Sequence, residues 1–298
     1  MAAEFFSDLE RRRVLIEEGL RTGLALITAE APQALAEAVA YSLLAHGKRL
    51  RPLLVMLACE ASGGTSENAI PAGCAVEMVH AYSLIHDDLP AMDDDDLRRG
   101  QPTCHKKFGE ALAILAGDAL LTGAFQVLAE GYPPPIAAVS IAELARGAGA
   151  AGMVAGQVLD LAPEGKVPMT AMPRTVEDLE GIHRRKTGAL FLSSLRLGSI
   201  AACGVASPAL DRFGHAFGLA FQIADDLIDV QGSVAEAGKR VGKDAARGKL
   251  TFPGLLGIEE SRRRTKDLFL EATTALETLG PRAKSLADLA KYVMERDH

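Results

Sequence analysis

His86-Asp87-Asp88-Leu89-Pro90-Ala91-Met92-Asp93-Asp94-Asp95-Asp96 decides how this chain reads, together with a second stretch, Phe221-Gln222-Ile223-Ala224-Asp225-Asp226-Leu227-Ile228-Asp229. Both lie inside otherwise apolar sequence of helical period. Burying several carboxylates without a counter-charge costs several kcal/mol or more. Carboxylates that repel each other yet share a site therefore imply a divalent cation. Oxygen ligands without Cys or His favour Mg²⁺, which seldom fills its shell from protein alone and usually takes substrate phosphates. The two stretches read as the two walls of a Mg²⁺–diphosphate site.

Composition supports a large helical core. Of 298 residues, 48% are hydrophobic and 24% charged, aromatics are 5%, and there is no Trp. Ala- and Leu-rich sequence favours close-packed helices over sheets. The net charge of −7 argues against nucleic acid, which requires a basic surface. Cys59, Cys74, Cys104 and Cys203 are scattered, with no C-x-x-C pair, so they read as small buried hydrophobes in a reducing cytoplasm. No signal peptide is read at the N-terminus, and no uncharged apolar run of about 18 residues suggests a membrane span.

Helical periodicity runs through segments 7–27, 32–45, 51–61, 72–88, 111–130, 135–161, 175–203, 208–229, 252–279 and 285–295. Gly and Pro punctuate the breaks, as in Gly131-Tyr132-Pro133-Pro134-Pro135. Ser207-Pro208 reads as a cap followed by Pro at the first helical position. Without a linker or clear repeat, the expectation is all-α: residues 1–298 as one domain of packed helices, with both motifs facing a deep central cavity.

Gln222, Asp225 and Asp229 are spaced three and four apart, which puts them on one helix face. Asp87 and Asp93 are six apart, about 120° on an ideal helix. Pro90 cannot continue that helix, so a bend near residues 89–92 is expected to swing Asp93 back toward Asp87. His80 lies two turns before Asp87 on its face and reads as a ligand-binding residue. Lys48, Arg49 and Arg51 crowd one helix start, Arg98-Arg99 follows the first cluster, and Lys186-Thr187, Lys239, Lys243 and Lys249 accompany the second. Grouped with carboxylates, such cations read as phosphate clamps. No G-x-x-x-x-G-K-[ST] loop is present, so a P-loop nucleotide site is unsupported.

At residues 47–52, 77–100, 186–187, 221–229 and 242–249 the chain resembles the trans-prenyl diphosphate synthases, in family order and across almost its whole length. His46 and Cys104 stand where the family pattern suggests Gly and Asn, positions to which it assigns no chemistry. The resemblance implies an isoprenoid-synthase-type helical bundle, a homodimer, and a polyprenyl synthetase domain over 1–298. It implies that Asp87, Asp93, Asp225 and Asp229 hold Mg²⁺, three ions per site, on an allylic diphosphate also bound by Arg98, Lys186, Thr187, Gln222 and Lys239. Lys48, Arg51, His80 and Arg99 would hold isopentenyl diphosphate. Asp87, Asp93, Arg98, Lys186, Asp225 and Lys239 would carry the catalysis: ionisation of the allylic C–O bond, attack by the isopentenyl double bond, and loss of a proton. Tyr82 and Ser83, just before Asp87, would set chain length. In the family an aromatic at position 82 accompanies a C15 product, so successive condensation with dimethylallyl and geranyl diphosphates is expected to give farnesyl diphosphate. C10 and C20 products are the alternatives. A terpene cyclase fits less well because the second motif is all Asp, and a non-catalytic subunit because both motifs are present.

Overall fold

The computed structural model describes residues 2–170, 172–231 and 249–295. As expected, the described chain is almost entirely helical, with one two-stranded ribbon. Its contacts cluster into two compact units, Met1–Leu144 with Arg196–Val205, and Ala145–Leu195 with Ala206–His298.

The first unit contains α1 (Ala2–Ile27), α2 (Gln33–Leu43), α3 (Leu50–Ala61), α4 (Ile70–Asp87), α5 (Cys104–Phe108) and α6 (Glu110–Gly131). Residues 52–59 of α3 are all buried, and α4 is buried nearly all round, as a helix with no polar face must be. Gly117 and Gly123 bring α6 close to its neighbours. A side chain at Gly117 would collide with His86 of α4, and one at Gly123 with Ile27 of α1. α6 is long and apolar enough to cross a membrane by length and composition, yet its Ala116, Leu120, Ala124 and Leu128 are buried within this unit. Ile114 and Leu115 stay exposed on its other side.

α7 (Pro134–Ala148) and α10 (Ala189–Cys203) each contain a boundary between the units. The second unit holds α8 (Met153–Leu161), α9 (Val176–His183), α11 (Pro208–Gln231), α12 (Phe252–Leu256), α13 (Ile258–Leu276) and α14 (Lys284–Glu295). α11 packs along α13, and Leu179, Leu219, Ile223, Leu227 and Phe252 form a shared core. Thr175 and Asp178 make a capping box that starts α9.

Three expected helices are broken. Segment 135–161 divides at residues 149–152, where a side chain on Gly152 would strike the carbonyl oxygens of Arg146 and Gly147. Segment 252–279 breaks at Gly257, whose φ of 80° suits glycine. Segment 175–203 is interrupted by a π-turn at Arg184–Gly188. Cys59, Cys74 and Cys104 are buried as expected; Cys203, at the end of α10, is exposed instead.

Candidate active site

The basic groups of the first unit gather where α3 begins. Arg49 has a left-handed backbone, φ 49°, a conformation an L-residue adopts at a cost. Its buried guanidinium donates to Glu17 Oε1 and Glu77 Oε1, both at 2.7 Å. Breaking a buried charge pair of this kind is expensive. The turn is thereby fixed, with exposed Lys48 on one side and half-buried Arg51 on the other. Burial pushes Arg51 down to about 10, against the pull of Glu77 and with the push of Arg99, so it stays protonated at neutral pH.

Arg98 and Arg99 head in different directions. They belong to the ribbon Leu97–Arg98 (β1) and Gln101–Pro102 (β2), closed by Arg99 (φ 54°) and Gly100 (φ 77°). Two successive positive φ angles make a type I′ turn. Arg98 turns to Asp88, while Arg99 Nη1 donates to the carbonyl oxygen of His46 at 2.6 Å. His46 supplies its backbone carbonyl to this contact and also lines the cavity beside Arg99. Arg98, Arg99, Arg49, His80, Glu77 and Asp88 all line one cavity. Lys48 and Arg51 are outside that lining, although Arg51 acts electrostatically on His80. Burial first, then the charges of Arg51, Arg99, Arg98 and Arg49, hold the His80 imidazole well below its ordinary range. His80 is therefore neutral near pH 7, a dipole rather than a cation.

The bend after α4 is the one Pro90 requires. The Asp93 N–H donates to the Asp87 carbonyl at 2.7 Å, and Met92 and Asp94 both bond to the carbonyl of Leu89. Asp87 and Asp93 are half-buried neighbours; Asp88 is 3% exposed. Among the described residues no three His, Cys, Asp or Glu side chains close a metal site by themselves.

Further back on α4, Tyr82 is buried and Ser83 half-buried, with Ser83 Oγ donating to the His80 carbonyl at 2.9 Å. The Tyr82 ring stands edge-on to His86, centroids 5.7 Å apart.

In the second unit the π-turn sets the geometry. Its wide turn passes directly over Gly156 of α8, where any side chain would strike the Lys186 backbone nitrogen. Lys186 Nζ meets Asp160 Oδ2 at 2.5 Å, and Lys249 Nζ meets the same oxygen at 2.9 Å. Burial pushes the Asp160 carboxyl up, but the two lysines outweigh it and hold it below the usual range. Lys249 also pairs with Glu164 at 3.3 Å. Thr187 Oγ1 donates to Gln222 Oε1 at 3.1 Å, joining the π-turn to α11. The spacing of Gln222, Asp225 and Asp229 falls on unbroken helix, with Asp225 exposed and Asp229 buried. Lys239 and Lys243 lie outside the described residues.

Sequence reasoning assigned no role to Asp160 or Glu77, and it grouped Arg49 with the phosphate-clamping cations, whereas the Arg49 guanidinium is held by Glu17 and Glu77. Asp160 left a signal, since it is the lone acid in apolar α8. Glu77 left one too, as a single charge inside α4 before the Asp cluster.

An all-helical fold carrying aspartate pairs and separate cation clusters defines a class of diphosphate-handling enzyme. Residues 32–287 match the family described as polyprenyl synthetase, and the chain belongs to that family. Farnesyl diphosphate synthase of Escherichia coli K12 is 48% identical over 88% of this chain and 89% of its own length. Chloroplastic geranylgeranyl pyrophosphate synthase of Capsicum annuum is 47% identical over 91% and 74%. The apo crystal structure of an FPP/GFPP synthase from Zymomonas mobilis superposes with a TM-score of 0.81 at 37% identity, covering 98% of this chain and all of that one. The chain is thus a short-chain prenyl diphosphate synthase, a prenyltransferase with the isoprenoid-synthase fold.

Proposed function

We propose that the product is farnesyl diphosphate, made from isopentenyl diphosphate by condensation first with dimethylallyl and then with geranyl diphosphate. The observation carrying this reading is Tyr82, an aromatic buried on α4 five residues before Asp87 and held against His86. A prenyl chain growing from Asp87 along α4 would stop against such a ring, whereas a small residue would let it continue.

The residue roles follow the family resemblance, and the charges present are compatible with them. Lys48, Arg51, His80 and Arg99 bind the diphosphate that isopentenyl diphosphate keeps. The cavity holding His80 and Arg99 supports this, since it offers cations and a neutral imidazole. Arg98, Lys186, Thr187, Gln222 and Lys239 bind the diphosphate that the allylic substrate loses. Asp87, Asp93, Asp225 and Asp229 supply hard oxygen ligands for Mg²⁺, three ions per site, which when bound would neutralise charge on the departing diphosphate. The lysines and Arg98 stabilise the same developing charge. The isopentenyl double bond then attacks the allylic cation, and the released diphosphate accepts the proton, since the motifs hold no evident base. Apolar walls exclude the water that would trap the cation.

The acting unit we propose is a cytoplasmic homodimer, with residues 1–298 as one polyprenyl synthetase domain. The exposed Ile114 and Leu115 of α6 support self-association, and the buried thiols suit a reducing compartment. The test is product analysis with dimethylallyl and isopentenyl diphosphates plus Mg²⁺. Mainly C15 diphosphate is expected; mainly C20 or C10 would overturn the product reading.

A further inference from the structure

Each motif opens with two adjacent aspartates, and the structure treats the members of each pair differently. Asp87 is half-buried and Asp225 exposed, while Asp88 and Asp226 are 3% and 8% exposed. Consecutive helical residues point about 100° apart, so one member can face a ligand while the other faces protein.

Both oxygens of Asp88 are taken by one guanidinium. Arg98 Nε lies 2.9 and 3.0 Å from Oδ1 and Oδ2, and Nη2 lies 2.7 Å from Oδ1. Such a fork fixes orientation as well as charge. It ties the ribbon carrying Arg98 and Arg99 to the end of α4. Asp226 does the equivalent job in the second unit. Its Oδ2 accepts the Phe252 N–H at 2.9 Å and lies 3.6 Å from His183 Nε2, and the His183 ring stacks on that of Phe252. Phe252 begins α12, three residues after Lys249, so this anchor sets where Lys249 reaches Asp160.

We propose that the trailing aspartates, Asp88 and Asp226, are positioning residues that hold the cation-bearing segments in place and take no part in Mg²⁺ binding. The inference rests on the Mg²⁺–diphosphate reading above. It assigns Arg98 and Lys249 their geometry through carboxylates that do not touch substrate or metal.

The test reads binding rather than turnover: calorimetric titration of inorganic diphosphate at a series of Mg²⁺ concentrations. Asp87→Asn and Asp225→Asn are expected to raise the half-saturating Mg²⁺ by about tenfold or more, as loss of a unit charge beside a divalent ion should. The charge-balanced double variant Asp88→Asn/Arg98→Gln is expected to leave that concentration unchanged while weakening diphosphate binding no more than Arg98→Gln alone. Asp226→Asn and His183→Gln should also weaken diphosphate binding at unchanged Mg²⁺ requirement; His183→Gln loosens the same anchor with every carboxylate in place, should Asp226→Asn not fold. A Mg²⁺ shift in the Asp88 double variant or in Asp226→Asn equal to that of the leading aspartates overturns the proposal, as does full diphosphate affinity in His183→Gln. If Asp87→Asn and Asp225→Asn leave the Mg²⁺ requirement untouched, the Mg²⁺ reading itself fails and the division of labour goes with it.

Discussion

The guanidinium of Arg99 lies across Gly47, where a β-carbon would come within 2.5 Å of Nη1. The glycine therefore makes room for a cation that then bonds to the neighbouring His46 carbonyl. Gly47→Ala would displace the tip of a flexible side chain rather than backbone, so stability should change little. The expected effect is a several-fold rise in KM for isopentenyl diphosphate with little change for the allylic substrate. Steady-state kinetics with each substrate varied in turn checks this, and a melting temperature drop with unchanged KM would contradict it.

The cation clusters are expected to separate kinetically. Arg51→Ala and Arg99→Ala should act mainly on KM for isopentenyl diphosphate. Lys186→Ala and Lys239→Ala should act mainly on the allylic diphosphate. Each lost charge-assisted contact corresponds to about 1.5–3 kcal/mol, or roughly 10- to 150-fold. Equal effects of all four on both substrates would refute the assignment.

His80 gives the protein an acid-sensitive element. Its folded-state pKa lies well below the ordinary value because of burial and the charges of Arg51, Arg99, Arg98 and Arg49. The unfolded chain thus binds a proton that the folded chain refuses. Stability is fully present above the unfolded value of about 6.5 and falls as pH drops below it. Thermal melts of the ligand-free protein from pH 7.5 to 5.5 should show a steeper loss for wild type than for His80→Gln. Parallel curves would show that His80 does not carry the effect.

Chelation should abolish turnover, and added Mg²⁺ should restore it. Asp87→Ala and Asp225→Ala are each expected to cost about 10²-fold or more in kcat, on the scale of losing one transition-state charge stabiliser. Turnover undiminished in excess EDTA would remove the metal from the mechanism.

Chain length should respond to α4. Tyr82→Ala is expected to shift product toward C20 or longer by removing a buried ring, and Ser83→Phe to shift it toward C10. Chromatography of the dephosphorylated products distinguishes these outcomes. An unchanged distribution in Tyr82→Ala would place the floor elsewhere.

The sequence by itself determined most of the helices, the face shared by Gln222, Asp225 and Asp229 on α11, and the bend that returns Asp93 to Asp87. Each depends on residues within two turns of one another, where helical period and a proline decide the outcome. Motifs in family order further specified the enzyme class. Tertiary structure alone decided which charges meet. Asp160 lies 26 residues from Lys186 and 89 from Lys249, yet both lysines share one of its oxygens. The parting of Arg98 from Arg99 required a type I′ turn too short to show as strand alternation. The difference between Asp87 and Asp88 required the ribbon to deliver Arg98 to one of them. Period and composition describe what a segment prefers, but the partner of a buried charge is set by packing between segments distant in the chain, where leaving that charge unpaired costs more than any local preference can supply.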